Sequence, residues 1–175
     1  MPWHYQGRFF QESPQLYPVE LDKYYSGKNL EELTKSYFLG IGLDVEQIMA
    51  NSDLYEKPGK NQHAYCIDID SERDVRVLCN IRDNEPWMGT MLHEFGHAVY
   101  AQGHDNPANP YFLREAAHSF TTEAVAMLFG RLSRNPQWMA QMLELPLSEM
   151  EKIQDDCHKS SRLQQLVFSR WVQVM

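Results

Sequence analysis

Residues 93–97 read His-Glu-Phe-Gly-His, and the apolar residues on both sides of this stretch predict a helix. Because α-helical side chains four positions apart share a face, His93 and His97 point in the same direction. Two imidazoles in that arrangement can bind one zinc ion. Glu94 then lies beside the metal face, where its carboxylate can act as general base toward a metal-activated water.

The alternative interpretation of this stretch is a core helix that binds no metal. Three ionisable residues on a largely buried helix need partners, because an unpaired charge away from water is costly. A zinc ion would satisfy all three, which favours the metal site. The expectation of burial rests on the apolar neighbours, which are Trp87, Met88, Met91, Leu92, Phe95, Ala98 and Val99.

The composition excludes several classes of partner. The 175 residues carry a formal net charge of −8, which disfavours nucleic acids and anionic membrane surfaces. No apolar run reaches the roughly 18 residues of a membrane span, and the N-terminus lacks the apolar core of a signal peptide. The three cysteines are widely spaced and odd in number, so we expect reduced thiols and a cytoplasmic location.

The hydrophobic pattern predicts a mainly α fold with one small antiparallel β-hairpin. Asn29 and Glu32 resemble a capping box, which predicts a helix from about residue 30. Residues 63–81 alternate with a period of two and form the hairpin. We expect the metal-site helix over 86–102, with Gly103 ending it. Further helices are predicted over 111–133, from Asn135-Pro136, and from Ser148, where Glu151 completes a second capping box.

A catalytic zinc site needs a third protein ligand and an open position for water. The candidates downstream of the motif are His104, Glu115, His118 and Glu123. Glu115 falls on a polar side of the predicted helix, where a solvated carboxylate that binds no metal is the simpler interpretation. Glu123 is favoured because it lies within a stripe that we expect to be buried, formed by Ala116, Phe120, Ala124, Met127 and Leu128.

These segments together resemble the gluzincin peptidases, and within them the group of angiotensin-converting enzyme, oligoendopeptidase F and thimet oligopeptidase. The resemblance is carried by Val-Arg-Val-Leu-Cys at 75–79, by the motif with Ala-Val-Tyr after it, and by Thr-Thr-Glu-Ala-Val-Ala-Met-Leu at 121–128. In that group a Glu ligand on a separate helix follows the two histidines at a similar interval. The match is good over about 60–135 and weak over the last third.

The resemblance implies zinc-dependent hydrolysis of peptide substrates. The zinc ligands would be His93, His97 and Glu123, while Glu94 would take a proton from the activated water and deliver it to the leaving amine. The substrate would align as an added β-strand along His63, Ala64 and Cys66. A surface histidine at a strand edge is the alternative for His63, and a helix-surface or core histidine is the alternative for His118.

Two departures from the family pattern qualify the implied activity. The family uses a His and a Tyr far downstream to stabilise the oxyanion, and no such pair follows Glu123 here. Removing an oxyanion donor typically costs about two to three orders of magnitude in turnover. In some relatives an acidic residue that orients a zinc histidine stands where this chain has Met127.

We therefore expect a single, partial catalytic domain over 1–175, a helical zincin-like core with the hairpin beside the metal-site helix. Residues 1–60 would form an arm and helices, 61–135 the zinc-site core, and 136–175 the C-terminal helices. The alternative function is a zinc-binding structural fragment without hydrolytic activity. Apolar surface exposed by truncation predicts self-association, through Leu166, Phe168 and Trp171.

Overall fold

The computed structural model describes residues 19–104, 106 and 108–174 of the chain. These residues form mostly helices and one pair of strands, which confirms the expected mainly α fold. Two 3₁₀ turns, Tyr111–Leu113 and Arg131–Arg134, flank the helix that carries Glu123. In chain order the other elements are α1 (Asp22–Tyr25), α2 (Leu30–Gly40), α3 (Glu46–Asn51), β1 (Tyr65–Asp68), β2 (Val75–Leu78), α4 (Glu85–His104), α5 (Ser119–Gly130), α6 (Pro136–Met142) and α7 (Leu147–Val174).

The chain divides into two compact units. One unit is Asp22–Ser133, which contains α1 to α5 and both strands. Of the described residues, 19–21 and 134–174 belong to the other unit. Residues 1–18 of the expected N-terminal arm lie outside the described residues. The division of the chain at residues 60 and 135 that we expected from the sequence stays a prediction.

Side-chain caps begin two of the helices where the sequence predicts them. The Oδ1 atom of Asn29 accepts a hydrogen bond from the backbone N–H of Glu32, 3.2 Å away, at the start of α2. Asn135 Oδ1 accepts from the backbone N–H groups of Gln137 and Trp138 at the start of α6. These bonds satisfy N–H groups that lack a partner inside the helix, and this confirms both predicted starts.

The predicted β-hairpin is present and lies beside α4. Its antiparallel register pairs Tyr65 with Leu78 and Asp68 with Val75. Both strands pack against α4, and β2 also packs against α3. The valines of β2, at 75 and 77, are each 1 % exposed, whereas Arg76 between them faces solvent. One face of the hairpin is therefore anchored in the core next to the motif helix.

A buried lysine connects the loop before the hairpin to the end of β2. The Lys60 side chain is 2 % exposed. Its ammonium group donates to the backbone oxygens of Asp53, Tyr55 and Cys79 and to Asp53 Oδ1. A charged group of this kind is tolerated inside a protein only when such partners replace water. Lys60 therefore holds the loop against the strand that supports the site.

Replacing Lys60 by Met should lower the free energy of unfolding by about 2 kcal/mol, because several carbonyl oxygens lose their donor together. Urea unfolding followed by circular dichroism measures the change. Lys57→Met is the matched control, since that side chain is 61 % exposed and pairs with Asp53 Oδ2 at the surface. The control should cost less than about 0.5 kcal/mol. Equal midpoints for the two variants would contradict the role assigned to Lys60.

The motif helix α4 is the centre of its unit. Met88, Met91, Leu92, Phe95 and Ala98 are each 0 % exposed, which confirms the expectation of a largely buried helix. The helix runs from Glu85 to His104, so it continues two residues past its predicted last residue, and the predicted stop at Gly103 is wrong. Gly103 has space around it and no positive φ, so nothing forces the chain out of the helix there.

The structure corrects the prediction for α5 in two respects. The helix begins at Ser119 rather than near Tyr111, because the Nδ1 atom of His118 accepts a hydrogen bond from the backbone N–H of Phe120 and caps it there. The stripe expected to be buried is largely exposed, with Phe120 at 67 % and Leu128 at 63 %. Ala126 is the buried residue of α5, because the face that carries it packs against α4.

In the second unit, α6 packs against α7. The helix α7 begins at Leu147, since the carbonyl of Pro146 accepts from the backbone N–H groups of Glu149 and Met150, and the predicted cap at Ser148 is therefore wrong. Leu166 is 64 % exposed on this helix. The buried apolar side chains of the unit include Trp138, Met139, Leu143, Met150, Cys157 and Val167.

Candidate metal centre

The two motif histidines lie one turn apart on α4 and face the same way. Their ring centroids are 4.8 Å apart and their planes are nearly perpendicular, at 84°. The side chains are 27 % and 20 % exposed, so both rings are partly accessible. The four-residue spacing alone accounts for this arrangement, because it repeats a helical face.

Glu123 of α5 completes a cluster with these histidines. Its Oε1 is 3.7 Å from His93 Nε2 and its Oε2 is 3.3 Å from His97 Nε2. The three potential ligand atoms all lie within 4.8 Å of one another. Tetrahedral zinc, bonded at about 2.0–2.1 Å, holds neighbouring ligand atoms roughly 3.3–3.5 Å apart. The donor set and its spacing therefore fit one zinc ion.

A close approach of two helices brings Glu123 to the histidines. A Cβ atom built on Gly96 would lie 2.9 Å from Ala126 Cα and 3.0 Å from Phe129 Cδ2. Real Cβ atoms essentially never approach so closely, so only glycine fits between the helices at this point. Gly130 repeats the arrangement one turn further on, where an added Cβ would lie 3.2 Å from His93 Cβ.

The electrostatic surroundings keep both histidines in the form that binds metals. Burial lowers the pKa of His93 and of His97 below the usual value, and the Glu123 carboxylate opposes this only in part. Neutral imidazole is the species that coordinates zinc. Both rings are therefore neutral near pH 7.

Glu94 lies on the buried side of the motif and is 8 % exposed. Burial, followed by the nearby Glu123 charge, raises the pKa of its carboxyl to about 7. The backbone N–H of Cys66 on β1 donates toward the Glu94 carboxylate and opposes that rise. A metal cation beside the carboxylate would favour its ionised form. In the metal-free chain the Glu94 carboxyl therefore gains and loses its proton near neutral pH.

The cysteines near Glu94 are poor candidates for metal ligands. Burial, followed by the Glu94 charge, raises the pKa of the Cys66 thiol and of the Cys79 thiol to about 12. Neither thiol belongs to the three-residue cluster. Both residues, like Cys157, are free thiols in the structure.

A contact that the sequence did not indicate involves the residue before Glu123. Thr122 Oγ1 is 2.7 Å from His97 Nδ1, a hydrogen bond to the nitrogen on the far side of the ring from Glu123. A threonine next to a candidate ligand is a weak signal by itself, because threonine is also ordinary on helix surfaces. Only the packing of α5 on α4 reveals the contact.

The remaining residues singled out from the sequence lie away from the cluster or serve other roles. His104 is the last residue of α4, and Glu115 is exposed in the segment before α5. His118 is exposed and caps α5. His63 is exposed, and its backbone N–H donates to Asn61 Oδ1 just before β1. Of these candidates, none contributes an atom to the three-residue cluster.

Comparison with known proteins identifies the family. No curated protein matches the chain. Over the described residues, no helix combines the length and apolar character needed to cross a membrane. The model of the family described as Carboxypeptidase Taq (M32) metallopeptidase matches residues 11–168, which is most of the chain. The chain therefore belongs to the M32 family of zinc-dependent metallopeptidases.

Proposed function

We propose that this chain hydrolyses peptide bonds with zinc held by His93, His97 and Glu123 and with Glu94 as the general base. The observation that carries the proposal is the convergence of the three ligand atoms beside a buried carboxylate. Two neutral imidazoles, one carboxylate and an open position are typical of catalytic rather than structural zinc sites.

Zinc, when bound, lowers the pKa of a water molecule and polarises a peptide carbonyl. The chain supplies the proton transfers. Glu94, on the buried side of the motif, accepts the water proton at its carboxylate and later delivers it to the leaving amine. Burial and the Glu123 charge raise the Glu94 pKa, whereas zinc would lower it and favour the carboxylate form that accepts the proton.

The edge of β1 that faces away from β2 supports the expected alignment of the substrate. The backbone N–H and carbonyl of Val77 on β2 point away from β1. The N–H donates to Ser52 Oγ, and the carbonyl accepts from the backbone N–H of Asp53. Cys66 pairs with Val77, so alternation of the antiparallel ladder directs the Cys66 N–H and carbonyl to the outer edge. The N–H donates toward the Glu94 carboxylate there, and the carbonyl is the group that a substrate N–H would meet. We propose that an extended peptide adds to this edge beside Glu94, with Ala64 and His63 at its end.

The finer classification is also a proposal. The interval between the histidines and Glu123 supports kinship with the group of angiotensin-converting enzyme, oligoendopeptidase F and thimet oligopeptidase. The description of the matching family names a carboxypeptidase, so carboxypeptidase activity is the other proposed specificity. Peptides with a free C-terminus and the same peptides with an amidated C-terminus distinguish the alternatives, because an endopeptidase cleaves both and a carboxypeptidase requires the carboxylate.

The test of the ligand set is the zinc content of the purified chain and of its Glu123→Ala variant. We expect about one zinc ion per chain in the parent and at least a tenfold lower content in the variant after dialysis. Glu115→Ala is the matched control, because it removes an exposed carboxylate outside the cluster. Loss of zinc in the control, or its retention in Glu123→Ala, would contradict the proposed ligands.

The other expectations are proposed on the same footing. Self-association is supported by the exposure of Leu166 on α7, and light scattering measures it. The side chain of Trp171 lies outside the described residues. A cytoplasmic location rests on the free cysteines alone.

The alternative function, zinc binding without hydrolysis, predicts zinc in the parent and no cleavage of any peptide.

A further inference from the structure

We propose that the Thr122 hydroxyl is a positioning group of the metal centre. It would hold the His97 ring so that Nε2 faces the ion. This inference rests on the proposed ligand set and adds a residue to which neither the motif nor the family match assigns a role. It concerns zinc affinity, so it can be tested without an activity measurement.

Contacts on opposite edges determine the orientation of the His97 ring. Nδ1 is 2.7 Å from Thr122 Oγ1, and Nε2 is 3.3 Å from Glu123 Oε2. Thr122 and Glu123 are consecutive residues of α5, so one turn of that helix provides both contacts. Rotation of the ring about its Cβ–Cγ bond would break both together.

The chemistry of zinc binding requires a partner at Nδ1. When Nε2 gives its lone pair to a metal, the neutral ring carries its proton on Nδ1, and that N–H needs an acceptor. The His97 side chain is only 20 % exposed, so water is a poor substitute for the Thr122 oxygen. An unsatisfied donor at this position would weaken binding, because its desolvation is not compensated.

A hydroxyl fits this position in both states of the centre. Without metal, the neutral His97 ring can place its proton on Nε2 and donate to Glu123, and the Thr122 hydroxyl can then donate to Nδ1. With metal, the same hydroxyl rotates and accepts from Nδ1–H. A carboxylate could only accept. Thr122 therefore supports the metal-bound ring without a penalty for the metal-free one.

The packing of the helices explains why Thr122 reaches His97. Ala126 lies one turn after Thr122 on the same face of α5 and touches the point where Gly96 allows the closest approach. His97 is the next residue after Gly96 on α4. The hydrogen bond thus lies beside a close backbone contact between α4 and α5, where an added Cβ at Gly96 would lie 2.9 Å from Ala126 Cα.

The experiment compares zinc affinity in three threonine variants, measured by competition with a chelator. Thr122→Val keeps the shape and removes the acceptor, and we expect its Kd for zinc to rise about 10–100-fold. Thr122→Ser keeps the hydroxyl and should restore the parent's affinity. Thr121→Val is the matched control, because Thr121 is exposed and its hydroxyl donates to the His118 carbonyl rather than to a histidine ring. Its zinc Kd should equal the parent's, and all metal-free forms should melt at similar temperatures.

A spectroscopic readout separates orientation from general stability. In zinc-loaded, ¹⁵N-labelled protein, the Nδ1–H signal of His97 should exchange slowly with water in the parent and in Thr122→Ser. It should exchange fast in Thr122→Val. Equal affinity and equal exchange in the valine variant would overturn the role of Thr122. A His97→Ala variant that still binds zinc at the parent's affinity would instead overturn the ligand set itself.

Discussion

The Glu94→Gln variant is expected to hydrolyse peptides about two to four orders of magnitude more slowly than the parent while retaining its zinc. Glutamine has nearly the same shape as glutamate but cannot accept a proton. Glu94 lies outside the three-atom cluster, so the ligands are untouched. The buried position of Glu94, at 8 % exposure, leaves no room for bulk water to replace its carboxylate directly.

The measurement combines peptide cleavage, followed by mass spectrometry, with metal analysis of the same samples. Glu115→Gln makes the same chemical change at an exposed position and should cleave at the parent's rate. Unchanged cleavage by Glu94→Gln at equal zinc content would exclude Glu94 as the base. If the parent and Glu94→Gln both contain zinc and neither cleaves a peptide, the alternative is favoured, which is a zinc-binding chain without hydrolytic activity.

The Gly96→Ala variant is expected to damage the centre without touching any of its polar atoms. The new methyl group would lie 2.9 Å from Ala126 Cα, which is backbone and cannot rotate away. The helices α4 and α5 must then separate, which costs about 1–3 kcal/mol of stability. Glu123 moves with α5, so zinc affinity falls, and cleavage falls by about 100-fold, as is typical of a displacement near 1 Å.

Gly103→Ala provides the matched control within the same helix. An added Cβ at Gly103 meets nothing within 4 Å, so alanine should be neutral or should stabilise α4 by up to about 1 kcal/mol. Thermal unfolding and the zinc Kd of both variants check the prediction. A Gly96→Ala protein with the parent's stability and zinc Kd would show that the close approach is not needed.

Short-range patterns in the sequence were sufficient for much of the fold. The caps at Asn29 and Asn135 and the hairpin over β1 and β2 depend on neighbouring residues, and all were predicted correctly. Local signals failed at Ser148, which does not cap α7, and at Gly103, which does not end α4. The predicted burial pattern of α5 was wrong because longer-range packing decides it. Phe120 and Leu128 form an apolar stripe of the kind that usually faces a core, yet α5 turns the face with Ala126 toward α4. Glu123 is therefore not on a buried face, although the apolar stripe around it predicts one.

The sequence by itself determined the part of the centre that lies within one helix. His93 and His97 are four positions apart, and helix geometry alone directs both to one face. Only the tertiary structure decided what meets that face. Glu123 and Thr122 reach the histidines because Gly96 and Ala126 let two helices approach until their backbones nearly touch. Such a contact joins residues far apart in the chain, and it depends on side-chain volumes in the whole packed interface rather than on any local pattern.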